Sequence, residues 1–212
     1  MPVFSTHFKS DGIFISFIYN KKLFQAVYMK NLGASFRALH VLHIASDLFK
    51  QYGFHKVGVD RIISETKISK ATFYNYFHSK ERLIEMCLLL QKDTLMEKVR
   101  VEIETTHYST FAHKLRQIYH LHANLKSAYY LLFKAIFEIK TSYPTAYQTA
   151  IRYRRWIKNE IFCLLKETKK AVSYAEAEIF IFMIDGAILG LLTSDSVEEQ
   201  TKLLDYFLVR VN

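Results

Sequence analysis

From Ala34 onward, apolar side chains recur at three- and four-residue spacing along almost the whole chain. This spacing collects them on one face of an α-helix, which completes a turn about every 3.6 residues. The 212 residues include six glycines and two prolines, too few for a collagen-like, loop-dominated or many-turned β architecture. We therefore predict an all-α fold, and the 50% of apolar residues is enough for a substantial core.

Capping residues divide this pattern into separate helices. Gly53 suits a helix end because glycine tolerates positive φ, and Ser69 suits a helix start. Pro144 belongs in a first turn, and Ser173-x-x-Glu176 and Ser196-x-x-Glu199 read as capping boxes. The predicted helices are a first one ending at Tyr52, then Val59–Thr66, Lys70–Phe77, Lys80 to about Val99, Phe111–Lys126, Ala128–Lys140, Pro144–Lys166, Tyr174–Thr193 and Val197–Val211.

The second and third predicted helices are short and close together, which suggests a helix-turn-helix. The residues that can close one core with the first helix are Ile62, Ile68, Phe73 and Phe77, together with Leu48 and Phe49. The side chains then left on the outside are Lys70, Thr72, Tyr74, Asn75 and Tyr76. A helix fits the major groove of DNA, and hydroxyl and ammonium groups of this kind contact phosphates and base edges.

The charge of the chain favours an anionic partner. Lys and Arg number 29 against 20 Asp and Glu, a net charge of +9. Between Ser35 and Arg82 there are eight basic and four acidic residues. Because neutralised phosphates release counterions, DNA binding through this segment should weaken steeply with salt.

The stretch GFHKVGVDRIISETKISKATFYNYFHSKERLI, from Gly53 to Ile84, resembles the DNA-binding region of the tetracycline-repressor (TetR) family. The shared pattern is a glycine–aromatic pair, a Val-x-x-Ile helix, Ile-Ser-Lys-x-Thr-aromatic-Tyr-x-x-Phe and then Ser-Lys-Glu. The resemblance implies a three-helix DNA-binding domain at residues 34–84. It continues into a larger helical domain for ligand binding and dimerisation at residues 85–212, and residues 1–33 form an N-terminal extension.

The resemblance also implies roles for the third helix and its two ends. Its first residues approach bases and phosphates, its tyrosines touch the backbone or base edges, and the lysine beyond it contacts a phosphate. Together with the outward-facing asparagine, the predicted DNA-binding residues are Ser69, Lys70, Ala71, Thr72, Tyr74, Asn75, Tyr76 and Lys80.

Three positions depart from the family's usual pattern. Ile63 replaces a small residue, Lys67 a glycine, and Gly58 a serine or threonine. Ile63 would widen the packing between the second and third helices, and Gly58 is a weaker cap. Lys67 would cost about 1 kcal/mol in a left-handed conformation. We expect these changes to affect the docking angle more than the fold.

The last two helices predict a homodimer. Residues 179–192 are apolar almost all round, and such a helix must be covered on every side. The final helix adds the stripe Leu203, Leu204, Phe207, Leu208 and Val211. We predict a two-fold dimer through residues 174–193 and 197–211, in which Gly186 and Gly190 permit close approach. An ordinary core within one chain is the alternative.

Membership of such a family implies a small-molecule effector bound in the larger domain. The helices at 111–126, 128–140 and 144–166 are rich in Tyr and Phe, which favours an apolar or aromatic ligand. The candidate lining residues are Tyr119, His122, Phe133, Phe137, Tyr153 and Trp156. Binding would tilt the fourth helix and change the distance between the two recognition helices, provided that the ligand prefers the DNA-incompetent state.

Other classes of function lack sequence support. There is no glycine-rich phosphate loop, nucleophile elbow or His-Glu-x-x-His motif, so we predict no enzyme activity. None of the nine histidines has partners at metal-ligand spacing, so we predict no metal and no cofactor. Cys87 and Cys163 are expected to be buried small hydrophobic residues.

The leader of the chain reads differently from the rest. Residues 1–28 lack helical spacing, and either Met29 is the true start or these residues form an N-terminal arm. They contain no signal peptide, and no segment reaches the roughly 20 apolar residues of a membrane span, so we predict a cytoplasmic protein.

Together these features predict a ligand-responsive repressor that binds a palindromic operator on double-stranded DNA as a homodimer. A helical protein–protein interaction module and a membrane-surface protein are the alternatives.

Overall fold

A computed structural model describes residues 32–104, 110–167, 172–193 and 197–211. Within these ranges the regular structure is entirely helical, so the predicted all-α fold is confirmed. The helices are α1 (Leu32–Tyr52), α2 (Val59–Thr66), α3 (Lys70–Phe77), α4 (Lys80–Glu104), α5 (Phe111–His122), α6 (Ala128–Glu138), α7 (Pro144–Lys166), α8 (Tyr174–Thr193) and α9 (Val197–Val211).

Five helices, α2, α3, α7, α8 and α9, begin and end where the sequence predicts. Helix α4 continues past Val99, whereas α5 and α6 stop before their predicted ends. Helix α5 ends early because Asn124 forms a local turn in which its side-chain oxygen accepts from the Lys126 amide at 2.8 Å. Ser127 then caps α6 by accepting from the Tyr130 amide at 3.3 Å.

The predicted helix starts have the expected caps where the structure describes them. Pro144 lies in the first turn of α7. In the box before α8, the Ser173 amide donates to the Glu176 carboxylate at 3.0 Å. The second box begins at Ser196, which lies outside the described residues, as do residues 1–31 and the question about Met29.

Two units make up the chain, residues 1–39 and residues 40–212. The first contributes only the N-terminal turns of α1 to the described part, and all contacts below lie within the second. There α4 packs against α5, α6 and α7, while α8 packs against α7 and α9. The inward stripe predicted for α7 is buried throughout: Ala146, Ala150, Tyr153, Ile157, Ile161 and Leu164.

The small core beneath α2 and α3 contains Phe49, Ile62, Phe73 and Phe77, all fully buried. Ile68 was expected in this core but is only half-buried, because it belongs to the turn between the two helices. The prediction for the cysteines is right for Cys87, whose thiol donates to the Leu42 carbonyl at 3.6 Å.

The prediction is wrong for Cys163, which is exposed. This cysteine lies on the solvent side of α7, between the buried Ile161 and Leu164. Among the described residues, no helix is long and apolar enough to cross a membrane.

Candidate nucleic-acid interface

Helix α3 is anchored by its two phenylalanines and capped by a serine. Phe73 and Phe77 lie one turn apart, both fully buried, with ring centroids 5.4 Å apart. Ser69 has extended backbone angles, and its Oγ accepts from the Thr72 amide at 3.1 Å. This cap satisfies one of the amides that the first helical turn leaves without a partner. The other face of α3 is therefore held in a fixed orientation towards solvent.

The predicted DNA-binding residues all lie in α3 or next to its ends, and none is buried. Those that are well exposed are Ser69, Lys70, Ala71, Tyr74 and Asn75; those that are half-buried are Thr72, Tyr76 and Lys80. The Thr72 hydroxyl lies 2.8 Å from Ser69 Oγ, which holds both hydroxyls together at the start of the helix. Their contacts with DNA remain predictions.

The cations near α3 have weak partners. Lys70 Nζ lies 3.4 Å from Asp60 Oδ1, and both side chains are largely exposed. Such a pair contributes little in water and is easily exchanged for a phosphate. The Arg61 guanidinium stacks 3.8 Å from the Tyr52 ring centroid. Lys80 behaves differently, because its ammonium lies over the ring of Tyr143 at 5.4 Å and must leave it to reach a phosphate.

Two residues with positive φ frame the recognition helix. Lys67 ends α2 in the left-handed conformation, with φ 54° and ψ 33°. This is the conformation for which the sequence predicts an energetic cost at Lys67. His78 connects α3 to α4 with φ 59°, which the sequence analysis missed. Histidine is among the residues that tolerate positive φ better than most, which was the available signal. At the start of α2, Gly58 provides no side-chain cap, and Ile63 is half-buried.

Most of the candidate ligand residues lie in the packed interior of the larger region. Those that are buried are Tyr119, His122, Phe133 and Tyr153. Trp156 is half-buried, and Phe137 is 68% exposed. The buried rings pack on one another. The ring centroids of Tyr153 and His122 lie 5.9 Å apart, and those of Phe133 and the neighbouring Tyr129 lie 6.4 Å apart. Their role in ligand binding remains a prediction.

His122 and Tyr153 form a buried hydrogen-bonded pair. His122 Nδ1 donates to the Ile118 carbonyl at 2.6 Å, so Nε2 accepts from the Tyr153 hydroxyl, also at 2.6 Å. Complete burial lowers the pKa of His122 to about 4, which keeps the imidazole neutral near pH 7. Burial raises the pKa of Tyr153, so its hydroxyl keeps the proton that it donates.

A second network, which was not predicted from the sequence, joins α6, α7 and α8. Arg154 Nη1 and Nη2 donate to the two carboxylate oxygens of Asp185 at 3.0 and 2.5 Å. The Tyr129 hydroxyl donates to Asp185 at 2.9 Å and accepts from Arg154 at 3.0 Å. Burial is the largest single influence and lowers the pKa of Arg154, but the hydrogen bonds and charge of Asp185 together with the interactions with Tyr129 outweigh it and raise that pKa. The available signal was Asp185, a charge within an otherwise apolar helix.

Between α7 and α8 lies a groove of about 160 Å³. Its lining is Ile151, Arg154, Arg155, Lys158, Glu178 and Ile181. Arg154 is held by Asp185, and Lys158 lies 3.4 Å from Glu178. Among the described residues, no group of three His, Cys, Asp or Glu is arranged to hold a metal ion.

The apolar stripe predicted for the last helix is mostly covered within the chain, because Leu204, Phe207, Leu208 and Val211 are buried and only Leu203 is exposed. Gly190, predicted to permit close approach of a second copy, is also buried.

Helices α8 and α9 nevertheless expose several large apolar side chains. Those at or above half exposure are Phe182, Leu189, Leu192, Leu203, Tyr206 and Val209, with Ile179 at 49%. Around Gly186, no atom lies within 4 Å of the position of an added Cβ. Single exposed apolar residues are common on protein surfaces, but a set of this size on two adjacent helices indicates an interaction surface.

Comparison with known proteins finds a family model that matches the helix-turn-helix. The model of "Bacterial regulatory proteins, tetR family" matches residues 41–87. The transcriptional regulator UidR of Escherichia coli K12 is 32% identical over 68 residues, which cover 32% of this chain and 35% of UidR. The chain thus matches about a third of the length of this curated relative.

Solved structures extend the likeness to the larger region. A TetR-family regulator from Agrobacterium tumefaciens superposes with a TM-score of 0.73 at 17% identity, covering 84% of this chain and 98% of that one. FadR of Bacillus subtilis, solved with stearoyl-CoA, gives 0.61 at 16% identity, covering 82% and 96%. At these identities the likeness concerns the fold alone, and it includes both the helix-turn-helix and the helices that follow it.

Proposed function

We propose that this chain is a transcriptional repressor of the TetR family, because its helix-turn-helix matches the model of that family and its fold resembles solved TetR-family regulators. It binds a palindromic operator as a homodimer and is released by a small-molecule ligand. The observation that supports this most is α3, whose polar side chains face solvent while Phe73 and Phe77 fix the helix from below. No feature of the described residues favours a protein–protein interaction module or a membrane-surface protein instead.

DNA recognition begins at the N-terminal end of α3. This end presents free amides, the Ser69 and Thr72 hydroxyls and the Lys70 ammonium, all of which are donors for phosphates or base edges. Tyr74 and Asn75 extend the same exposed surface along the helix. Inserted in the major groove, this surface reads a half-site, and the backbone contacts fix its register.

The exposed apolar surface of α8 and α9 supports the homodimer. A second copy would cover its leucines, Phe182 and Val209 by a two-fold axis, and the open space at Gly186 allows the helices to approach closely. Two-fold symmetry repeats α3, so the operator would be a palindrome with half-sites about one turn of DNA, roughly 34 Å, or a multiple apart. Occupying such a site blocks the access of polymerase, which is the basis of repression.

The ligand is proposed to enter among α5, α6 and α7. Because the aromatic residues there pack on one another, a ligand must displace some of them, and Phe137 already lies at the surface. An apolar ligand would replace these contacts at the lowest cost in desolvation. Stearoyl-CoA, bound by FadR of Bacillus subtilis, is a suitable first probe, to be tested for release of DNA.

A binding assay on the upstream DNA of the gene itself tests the DNA-binding proposal. The wild-type protein should prefer this DNA over a scrambled duplex of equal length, and its affinity should fall steeply with salt. Lys70→Ala and Tyr74→Ala should each weaken binding about tenfold, the equivalent of ~1.4 kcal/mol. Lys166→Ala removes an exposed lysine at the end of α7 and should bind like wild type. Equal binding of both duplexes would reject the proposal.

Sedimentation at low micromolar concentration tests the homodimer. Leu203→Arg and Val209→Arg place charges on the exposed apolar surface and should convert the dimer to monomer. Val101→Arg introduces the same charge at another exposed apolar position, on α4, and should leave the dimer intact. A wild-type monomer under these conditions would contradict the proposal.

A further inference from the structure

Helix α6 of the larger region contacts the end of α1 through two charged side chains. Lys134 Nζ donates to the Lys50 carbonyl at 2.9 Å. The Phe54 amide donates to Glu138 Oε2 at 2.9 Å. Lys134 and Glu138 lie one turn apart on α6, and Lys134 Nζ is 3.5 Å from Glu138 Oε1. Both side chains are mostly buried, with 15% and 29% of their surface exposed.

These two side chains occupy the place of one helical hydrogen bond. In α1 the Gly53 amide still donates to the Phe49 carbonyl at 2.9 Å. The next bond of the series would join the Phe54 amide to the Lys50 carbonyl. Instead the carboxylate of Glu138 takes the amide and the ammonium of Lys134 takes the carbonyl. The ion pair thus ends α1 and sets the direction in which the chain leaves it.

Gly53 allows this arrangement. Its φ is +84°, a conformation that favours glycine. A Cβ at this position would lie 2.9 Å from Glu138 Oε2, so a side chain would also push the carboxylate away. The positive charge of Lys134 complements the negative end of the α1 dipole. Local conformation and charge therefore both favour this contact.

His55, the residue after Phe54, adds a further contact with the same end of α6. His55 Nε2 donates to the Glu138 carbonyl at 2.7 Å, and its ring stacks on Tyr143 with centroids 5.8 Å apart. Phe54 and His55 are thus bound to the end of α6, and His55 also contacts Tyr143, the residue preceding α7. This short segment leads directly to α2, so its position decides where α2 and α3 lie.

We propose that Lys134 and Glu138 are positioning residues for DNA binding, although they lie outside the helix-turn-helix. They hold the α1–α2 connection in the geometry in which α3 fits the operator; this inference rests on the proposed function. Because Phe133 and Phe137 lie on the same helix, a ligand that displaces α6 would also release residues 53–55. A plain ion pair that only adds stability is the competing explanation.

The polarity of the contact separates the two explanations. A carboxylate at position 134 cannot donate to the Lys50 carbonyl, and an ammonium at position 138 cannot accept from the Phe54 amide. The charge-swap variant Lys134→Glu/Glu138→Lys therefore keeps an ion pair but loses both backbone hydrogen bonds. Glu138→Gln keeps an acceptor for the amide but not the charge.

Two measurements on the dimer test the proposal, hydrogen exchange of residues 53–57 and operator affinity. Glu138→Ala should speed exchange of the Phe54 amide about tenfold and weaken operator binding five- to tenfold, because a buried amide loses its acceptor. The charge-swap variant should lose at least as much amide protection and operator affinity as Glu138→Ala, and Glu138→Gln should lose less. Glu167→Ala and Lys166→Met, at exposed positions at the end of α7, should match wild type in both measurements.

Either of two results would overturn the proposal. In the first, the charge-swap variant shows wild-type amide protection and wild-type operator affinity, which would mean that the ion pair alone matters. The other is faster exchange at residues 53–57 with unchanged operator affinity in Glu138→Ala. If Glu138→Ala does not fold, Lys134→Met, which removes the donor to the Lys50 carbonyl, gives the same comparison. If the wild-type protein binds no operator, the proposed function fails, whereas the exchange measurement still decides whether the contact exists.

Discussion

The helix-turn-helix and the larger helical region use polar aromatic residues in opposite ways. On α3, Tyr74 is exposed, and only the phenylalanines beside it are buried. In the larger region, Tyr129, Tyr153 and His122 are buried, and their polar atoms bond to one another or to charged neighbours. The first arrangement leaves donors available for a partner, and the second uses them to fix the packing of α5–α8.

This difference has an energetic consequence. A polar group at the surface exchanges its partner for water at little cost, whereas a buried group that loses its partner pays the full desolvation penalty. Substitutions in the buried networks should therefore change stability most, and substitutions around α3 should change it little while affecting DNA binding. The following predictions test that contrast, in order of decreasing effect.

Asp185→Ala should have the largest effect. It leaves the mostly buried Arg154 without its carboxylate, and breaking a buried pair in this way costs about 3–5 kcal/mol. Urea denaturation measures the loss in the free energy of unfolding. Asp205→Ala removes the partner of Arg116 in a more exposed pair and should cost about 1 kcal/mol or less. Equal losses in the two variants would contradict the contrast.

His122 should make the stability of the protein depend on pH. Because burial lowers the pKa of His122 from 6.5 to about 4, the folded state favours the neutral imidazole. Its contribution is complete above about pH 6.5 and is lost as the pH falls from 6.5 towards 4, by up to about 3 kcal/mol. His122→Gln should remove this part of the pH dependence, measured by denaturation between pH 4 and pH 8.

The control for this prediction is His113→Gln, at an exposed position on the same helix, which should keep the wild-type profile. A wild-type stability that stays constant down to pH 4 would show that His122 is not held neutral.

Ser69→Ala should cost about 1 kcal/mol, the usual loss of a helix N-cap. The loss arises because the Thr72 amide loses its acceptor at the start of α3. Thermal unfolding measures it, and the same variant should weaken DNA binding because the first turn of α3 becomes less ordered. Ser64→Ala, at an exposed position inside α2, is the matched control and should be neutral. A larger loss for Ser64→Ala would disprove the assignment of the cap.

Lys67→Gly should have the smallest effect and the opposite sign. Relieving the left-handed backbone at φ 54° should stabilise the fold by up to about 1 kcal/mol, reduced by the entropy that glycine adds to the unfolded chain. Denaturation in guanidinium is sensitive enough to measure the change. Lys56→Gly, at an exposed position before α2, provides no such relief and should give no gain.

The sequence was most informative where local rules act. The bounds of α2 and α3, the cap at Ser69 and the burial of Phe73 and Phe77 follow from spacing and capping, which depend on neighbours within a few residues. The buried stripe of α7 was predicted for the same reason. The candidate DNA-binding residues could be placed on the surface because Phe73 and Phe77 turn one face of α3 towards the core, which leaves the opposite face of this short helix to the solvent.

Only the tertiary structure decided which distant groups meet. Arg154 belongs to a basic run and Asp185 to an apolar helix, and neither local pattern identifies the other as its partner. The same holds for Glu138 and the Phe54 amide, which are 84 residues apart. Spacing along a helix determines which face a side chain occupies, but the partner on that face depends on how the helices pack. The sequence therefore determined where the helices lie along the chain and which faces are apolar. The packing of the helices determined that α6 contacts the end of α1.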